Sequence, residues 1–125
     1  MRIVFDLDGV IATGDENTVY SNGAKWNYSN CTVVPGARVV LQKLKEQGHY
    51  IIIHTARWTR DKIKTHEWLE NNNIPFNELH MSKPSADVYI DDRGFAFDGD
   101  WNSLMEHINN IKKEMDERIS ENKIN

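Results

Sequence analysis

The 125-residue sequence predicts an α/β protein: one domain on a parallel sheet. Two observations carry this prediction. Short apolar runs of strand length alternate with segments of helical periodicity, and the connections are long enough for crossover helices. The first run, Ile3–Leu7, mixes branched and aromatic residues without polar alternation, which is typical of a parallel strand buried on both faces. We therefore expect a three-layer α/β/α, Rossmann-like sheet with helices on both faces.

A polar flap is predicted after the first strand, at about residues 12–34. This segment is rich in Gly, Asn and Ser, which favours a hairpin with an irregular loop over a helix. Its scattered aromatic residues are open to two interpretations, stacking on a sugar or base ring and local packing, and packing is favoured. These residues are Tyr20, Trp26 and Tyr28.

The first helix and the second strand come next. Pro35-Gly36 opens a helical pattern that Gly48 closes, because proline and glycine are the residues that start and stop helices. The apolar residues of this pattern share one face: Val40, Leu41 and Leu44. Tyr50–Ile53 then reads as a second buried strand.

The second helix is expected to begin with Thr59 as its cap and to end at Asn71-Asn72-Asn73. A short extended piece follows, at Glu78–Met81. The apolar face predicted for the second helix consists of Ile63, Trp68 and Leu69.

The C-terminal part is predicted to hold one more strand, Asp87–Ile90, and a last helix from about Trp101 to about Ile119. Seven apolar residues of that helix recur at helical spacing. Residues 121–125 are expected to fray. The domain is thus residues 1–120. The seven apolar residues of the last helix are Trp101, Leu104, Met105, Ile108, Ile111, Met115 and Ile119.

Composition excludes several classes of protein. The net charge of −4 and the absence of a Lys/Arg block argue against a nucleic-acid partner held by a basic face. One cysteine, Cys31, excludes an internal disulfide framework and suits a reducing compartment. The apolar runs are too short for a membrane helix, and Asp6 and Asp8 interrupt any signal-peptide pattern. We expect a cytoplasmic protein without a membrane partner.

Seven polar residues are expected at one edge of the sheet. Each lies at the carboxyl end of a predicted strand, directly after one, or in the loop before the last one. Open parallel sheets bind ligands outside the carboxyl ends of their strands. Read singly, each has an ordinary interpretation, such as a solvated turn or a surface lysine. Their convergence favours a functional site. The residues are Asp6, Asp8, Thr55, Arg57, Lys83, Asp91 and Asp92.

The residue types suit phosphoryl transfer. Several carboxylates at one edge repel each other unless a cation joins them, and Mg²⁺ commonly takes carboxylates, waters and a substrate phosphate. A carboxylate can attack phosphorus and form an aspartyl-phosphate. A lysine and a hydroxyl can neutralise the phosphoryl oxygens, and a second acid can move protons.

Four segments of the chain resemble the four motifs of the haloacid dehalogenase superfamily, in the right order. They are DLDGV, the threonine that ends IIIHT, Lys83, and the Asp91-Asp92 pair. The resemblance extends from Ile3 to Asp92. Within the superfamily, the phrases IIIHTAR, WLENNNIPFNEL and SKPSADVYIDDR resemble small phosphatases of capsule and surface-polysaccharide synthesis.

The resemblance implies a role for each residue. Asp6 is the expected nucleophile and a Mg²⁺ ligand, and Asp8 is the general acid/base, which reaches the metal through its backbone carbonyl. Thr55 and Lys83 bind the phosphoryl group. Asp91 completes the metal site. Asp92 either binds the metal through a water molecule or contacts the residues that bind it. An acid at position 8 favours ester hydrolysis over dehalogenation.

The intervals between the motifs are too short for a cap domain of ordinary size, so the resemblance implies a capless member with an open site. Either the substrate is large or a second copy of the chain supplies a lid; the second is favoured. For Arg57, two roles stay open in equal measure: contact with the substrate, and pairing with a neighbouring carboxylate.

The resulting prediction is a Mg²⁺-dependent phosphomonoester phosphatase acting on a small-molecule phosphate ester, with a sugar phosphate from surface-carbohydrate synthesis favoured. One alternative is a nucleotidase or a phosphatase of nucleic-acid ends. Another is a non-catalytic domain that binds phosphate or a phosphoprotein.

Overall fold

The computed structural model describes residues 1–14 and 31–124. The chain is α/β, with a three-stranded parallel sheet and three α-helices among these residues. It divides into two compact units, one of Arg2–Tyr89 and one from Ile90 onward that also includes Met1. The prediction of one domain over residues 1–120 stays a prediction.

The described strands form two sheets. The three-stranded sheet consists of β1 (Arg2–Phe5), β4 (Tyr50–His54) and β5 (Glu78–His80), all parallel and in the order β1-β4-β5. A small antiparallel pair joins β2 (Ala12–Thr13) and β3 (Thr32–Val33). All three strands of the larger sheet were predicted as extended segments. The antiparallel pair lies at the two ends of the predicted flap and agrees with a hairpin there; the flap residues 15–30 lie outside the described part.

One prediction about β1 is wrong. Its residues were expected to be buried on both faces, but Val4 is 59% exposed. Phe5, whose side chain points to the opposite face, is buried. The neighbouring strand β4 covers an edge of β1 and neither of its faces, and the face that carries Val4 is exposed.

Helix α1 (Ala37–Glu46) is confirmed, including its boundaries. Gly36 (φ 91°) precedes it and Gly48 (φ 87°) follows it. Both glycines adopt the left-handed conformation, which residues with a Cβ atom disfavour. The buried face of the helix contains Ala37 and the three predicted residues: Val40, Leu41 and Leu44.

Helix α2 (Lys62–Asn71) ends as predicted but begins differently. Thr59 is not its cap: Thr59 begins a 3₁₀ turn, Thr59–Asp61, that leads into the helix, and its hydroxyl is hydrogen-bonded to that of Ser82 at 3.0 Å. Ile63 is 75% exposed, so the predicted apolar face is wrong at this position. The buried residues of α2 are Thr65 and Leu69.

The strand predicted at Asp87–Ile90 is also wrong. These residues have no strand partner among those the structure describes, and Val88, Tyr89 and Ile90 are all more than half exposed. A strand needs a neighbouring strand as well as an apolar sequence. Here the Tyr89 hydroxyl donates to the carbonyl of Pro84, which holds the segment against its own loop.

Helix α3 (Trp101–Ile124) is longer than predicted. The expected frayed tail is helical over residues 121–124, because no glycine or proline interrupts the backbone hydrogen bonding there. Leu104 and Ile108 are buried, whereas Met115 and Ile119 are largely exposed. Over residues 1–14 and 31–124, no helix combines the length and the apolar character that crossing a membrane requires.

Candidate functional site

A tight turn follows β1 and holds the first acid pair. The carbonyl of Leu7 accepts hydrogen bonds from the backbone N–H groups of Ile11 and Ala12, both at 2.9 Å, and the N–H of Gly9 donates to the carbonyl of Ala12 at 2.8 Å. Gly9 has a φ of 90°, which a residue with a side chain adopts only with strain. The DLDGV sequence thus turns the chain directly after the strand.

Asp6 is a half-buried carboxylate at the end of β1. Its Oδ1 atom accepts a hydrogen bond from the N–H of Leu7 at 2.9 Å. Burial raises the pKa of Asp6 above its ordinary value of 3.8, and the positive charge of Lys83 acts in the opposite direction. Asp6 and Lys83 are therefore electrostatically coupled.

Backbone hydrogen bonds tie the end of β4 to the loop after β5. The N–H of Thr55 donates to the carbonyl of His80, and the N–H of Lys83 donates to the carbonyl of Thr55, both at 2.9 Å. The N–H of Ser82 (φ 59°) donates to the carbonyl of Arg57 at 2.7 Å. The positions of Thr55 and Lys83 are thus set by main-chain contacts with each other.

The side chains of these two residues differ in access. Thr55 is buried, and its Oγ1 atom accepts a hydrogen bond from the N–H of Arg57 at 3.2 Å. Lys83 is half-buried, and its ammonium lies 4.3 Å from the centre of the Tyr89 ring, a cation–π distance. Lys83 therefore presents its charge at the sheet edge while Thr55 lies beneath the surface.

His54 lies directly before Thr55 in this region. It ends β4 and is half-buried. Burial lowers the pKa of His54 below its ordinary value of 6.5, and the charge of Lys83 adds to this effect. The neighbouring carboxylate of Asp6 acts against it. Electrostatics thus links three residues: Asp6, His54 and Lys83.

Asp8 forms a bidentate ion pair with Arg57. The Nε atom of Arg57 donates to Oδ2 of Asp8 at 2.9 Å, and Nη2 donates to Oδ1 at 2.7 Å. The side chain of Arg57 has no exposed surface, and that of Asp8 is 19% exposed. Of the two roles predicted for Arg57, the structure shows the pairing with a carboxylate; substrate contact stays a prediction.

The guanidinium of Arg57 also contacts the second helix and the base of the flap. Its Nη1 atom lies 3.3 Å from the Thr65 hydroxyl, and Nη2 lies 3.9 Å from the sulfur of Cys31. The indole of Trp68 donates to the carbonyl of Cys31 at 3.2 Å. The sequence prediction missed Thr65; its signal is a position four residues before the buried Leu69, on the same helical face.

The second acid pair belongs to the other compact unit. Asp91 and Asp92 are exposed, and Oδ1 of Asp91 accepts the N–H groups of Arg93 and Gly94. This local turn is the ordinary interpretation that the sequence offered for the pair. Within the described residues, no group of three or more His, Cys, Asp or Glu side chains lies close enough together to hold a metal ion.

The four predicted metal ligands are therefore split between the two units, two in each. Within Arg2–Tyr89, the Asp6 carboxylate is partly accessible, but both carboxylate oxygens of Asp8 are engaged by Arg57. The backbone carbonyl of Asp8 is the group that the resemblance implies for a metal there. Mg²⁺ commonly takes one or two carboxylates together with waters and a substrate phosphate. These oxygen donors therefore suit the ion, and its binding stays a prediction.

Comparison with known proteins gave one informative similarity. The chain is similar to a crystal structure of a target protein from Vibrio cholerae, with 28% sequence identity and a TM-score of 0.58, over 75% of this chain and 81% of that one. No family model and no curated protein matches the sequence. The similarity agrees with the α/β fold described above.

Proposed function

We propose that the protein is a phosphomonoester phosphatase that acts through an aspartyl-phosphate on Asp6. One observation carries the proposal. The half-buried carboxylate of Asp6 lies at the carboxyl end of a parallel strand and is electrostatically coupled to Lys83. The backbone N–H of Lys83 in turn donates a hydrogen bond to the carbonyl of Thr55. This combination of a carboxylate nucleophile and a cation suits transfer of a charged phosphoryl group.

The first proposed step transfers the phosphoryl group to the enzyme. An oxygen of the Asp6 carboxylate attacks phosphorus, the bond between phosphorus and the ester oxygen breaks, and the leaving oxygen takes a proton from Asp8. Lys83 balances negative charge on the phosphoryl oxygens. The products of this step are the free alcohol and phosphorylated Asp6.

The second proposed step returns the enzyme to its starting state. Water attacks the phosphorus of the aspartyl-phosphate, its proton passes to Asp8, and the bond between phosphorus and Asp6 breaks to release inorganic phosphate. Asp8 lies two residues from Asp6 across the tight turn, and 19% of its side chain is exposed. Asp8 is the carboxylate that we propose exchanges protons in both steps.

Mg²⁺ belongs to this proposal as the expected cofactor. When bound, it would neutralise the charge of the transferred phosphoryl group. Asp6 and the backbone carbonyl of Asp8 are the donors proposed from Arg2–Tyr89, and Asp91 and Asp92 are those proposed from the other unit.

The favoured substrate is a sugar phosphate of surface-carbohydrate synthesis, on the strength of the sequence resemblance. The net charge of −4 counts against a phosphatase of nucleic-acid ends. The proposal further includes a three-layer, Rossmann-like architecture without a cap. It also includes a cytoplasmic location and a second copy of the chain that acts as a lid. The lid requires an oligomer, and a strictly monomeric protein in light scattering would remove it.

A non-catalytic domain that binds phosphate is the rival from another class. One observation favours it: Oδ1 of Asp91 is engaged in a local turn, where it accepts hydrogen bonds from the N–H groups of Arg93 and Gly94. Such a domain would retain Lys83 and Thr55 as contacts for phosphate but would turn over no ester.

The experiment that separates the two is a screen of sugar phosphates, nucleotides and p-nitrophenyl phosphate with Mg²⁺, read as release of inorganic phosphate. We expect hydrolysis by the wild type and none by Asp6→Asn. Asp116→Asn is the matched control, because Asp116 is an exposed residue of α3 whose ion pair with Lys112 contributes little. Binding of phosphate without turnover of any ester would favour the binding domain.

A further inference from the structure

The pairing of Arg57 with Asp8 carries an inference that rests on the proposed function and deepens it. We propose that Arg57 is a positioning residue that fixes the orientation of the Asp8 carboxylate for proton exchange with the leaving group, and that Thr65 of helix α2 sets the orientation of Arg57 in turn. This positioning role requires neither residue to touch the substrate.

The geometry is that of a fork. Two nitrogens of Arg57, Nε and Nη2, donate to different oxygens of Asp8 at 2.9 and 2.7 Å. Two parallel hydrogen bonds determine the plane of a carboxylate, whereas one would leave it free to rotate. Lysine offers only a point charge and cannot make this pairing.

Burial of Arg57 makes the pairing rigid. Its side chain has no exposed surface, and a buried guanidinium without a carboxylate partner is strongly unfavourable. The Thr65 hydroxyl, 3.3 Å from Nη1, holds the opposite side of the guanidinium and is itself fully buried. The position of Asp8 therefore depends on helix α2.

The pairing leaves Asp8 able to react. Each carboxylate oxygen has two lone-pair directions, and the fork uses one on each oxygen. The Asp8 side chain is 19% exposed, and we place the proton exchange with the leaving oxygen at the lone pairs that the fork does not use. A fixed donor at that point helps esters whose alcohol is a poor leaving group and matters little for an activated ester.

The test compares two esters of similar shape. Phenyl phosphate needs a proton on its leaving oxygen far more than p-nitrophenyl phosphate, because phenolate is the stronger base. We expect Arg57→Lys to lower kcat/KM for phenyl phosphate at least about tenfold more than for p-nitrophenyl phosphate. Thr65→Val removes a single hydrogen bond, and we expect it to change the ratio of the kcat/KM values for the two esters in the same direction but by less. If Arg57→Lys does not fold, the result for Thr65→Val decides the question.

Arg38→Lys is the matched control. Arg38 is also an arginine of Arg2–Tyr89 with a structural contact, since its Nε donates to the carbonyl of Asn72 at 2.7 Å, but it lies in α1 away from the acid pair. We expect this variant to leave the ratio of the two esters unchanged. Equal losses on both esters in Arg57→Lys and in Thr65→Val would overturn the positioning role and leave the phosphatase standing.

A stability cycle tests the ion pair without using activity. The unfolding of wild type, Asp8→Asn, Arg57→Lys and the double variant is measured in denaturant; we expect the two substitutions to be strongly non-additive. Additive effects would overturn the proposal even in an active enzyme. A wild type that hydrolyses neither ester would overturn the proposed function and the positioning role together, whatever the cycle shows about the ion pair.

Discussion

Asp6 carries a negative charge in a partly buried environment, and this has a consequence for stability. Burial raises its pKa in the folded chain above 3.8, so the folded state binds this proton more tightly than the unfolded state does. The stabilising contribution is complete below pH 3.8 and is lost as the pH rises through the raised pKa. At neutral pH the charged Asp6 therefore destabilises the fold.

We accordingly predict that Asp6→Asn raises the free energy of unfolding at pH 7 in metal-free buffer, because the amide removes the charge and keeps the shape. Chemical denaturation at pH 7 and at pH 3.5 measures the effect, and the gain should shrink at the lower pH. Asp116→Asn, at an exposed position, should give no such gain. A loss of stability at pH 7 would contradict the electrostatic interpretation of Asp6.

His54 supplies a second prediction at the same scale. Burial and the charge of Lys83 lower the pKa of His54 below 6.5, so its neutral form stabilises the fold above pH 6.5, and this contribution is lost as the pH falls through the lowered pKa. Titration of the imidazole by NMR should give a value below the ordinary one. In Lys83→Met the pKa of His54 should rise towards that value. No change on removal of the lysine would show that the two residues are not coupled.

Among the elements, α1 is the best test of packing in the unit Arg2–Tyr89. Leu41 is fully buried on its inner face, whereas Val39 of the same helix is 68% exposed. We predict that Leu41→Ala lowers the free energy of unfolding by about 2–5 kcal/mol, since it removes buried methyl groups and leaves a cavity. Val39→Ala should change it by no more than about 0.5 kcal/mol. Chemical denaturation measures both, and similar effects would contradict the described packing.

Helix α1 also shows which elements a sequence can predict. Its end at Gly48 and its buried Leu41 and Leu44 were predicted because local glycine chemistry and apolar spacing agree. The segment 87–90 has an equally apolar sequence but no neighbouring strand among the described residues. Strand formation depends on residues far away in the chain, which a local pattern does not contain.

The same distinction applies to the candidate site. Asp6 and Lys83 could be predicted because chemistry after strands of a parallel sheet gathers at one edge. The pairing of Asp8 with Arg57 joins residues 49 positions apart, and sequence alone left it equal to substrate contact. Thr65 was missed, because its one signal, a position four residues before Leu69 in α2, places it on the inner face of the helix without naming Arg57 as its partner.

At the scale of the whole molecule, the expected cofactor gives the next prediction. Donors proposed for Mg²⁺ come from both compact units, and the phosphoryl group adds further negative charge. We predict that dialysis against EDTA abolishes phosphate release and that Mg²⁺ restores it. Ca²⁺ should not restore it, since the larger ion takes more ligands at longer distances. Full activity in the dialysed protein would contradict the requirement for the metal.

The central claim is that Asp6 becomes phosphorylated, and one measurement tests it most directly. The protein is mixed with p-nitrophenyl phosphate, quenched in acid within the first turnover, and its peptides are examined by mass spectrometry. We predict a phosphoryl group on the peptide that contains Asp6, formed as fast as nitrophenol is released, and no label in Asp6→Asn. Undiminished turnover by Asp6→Asn, or a label on another residue, would contradict the claim.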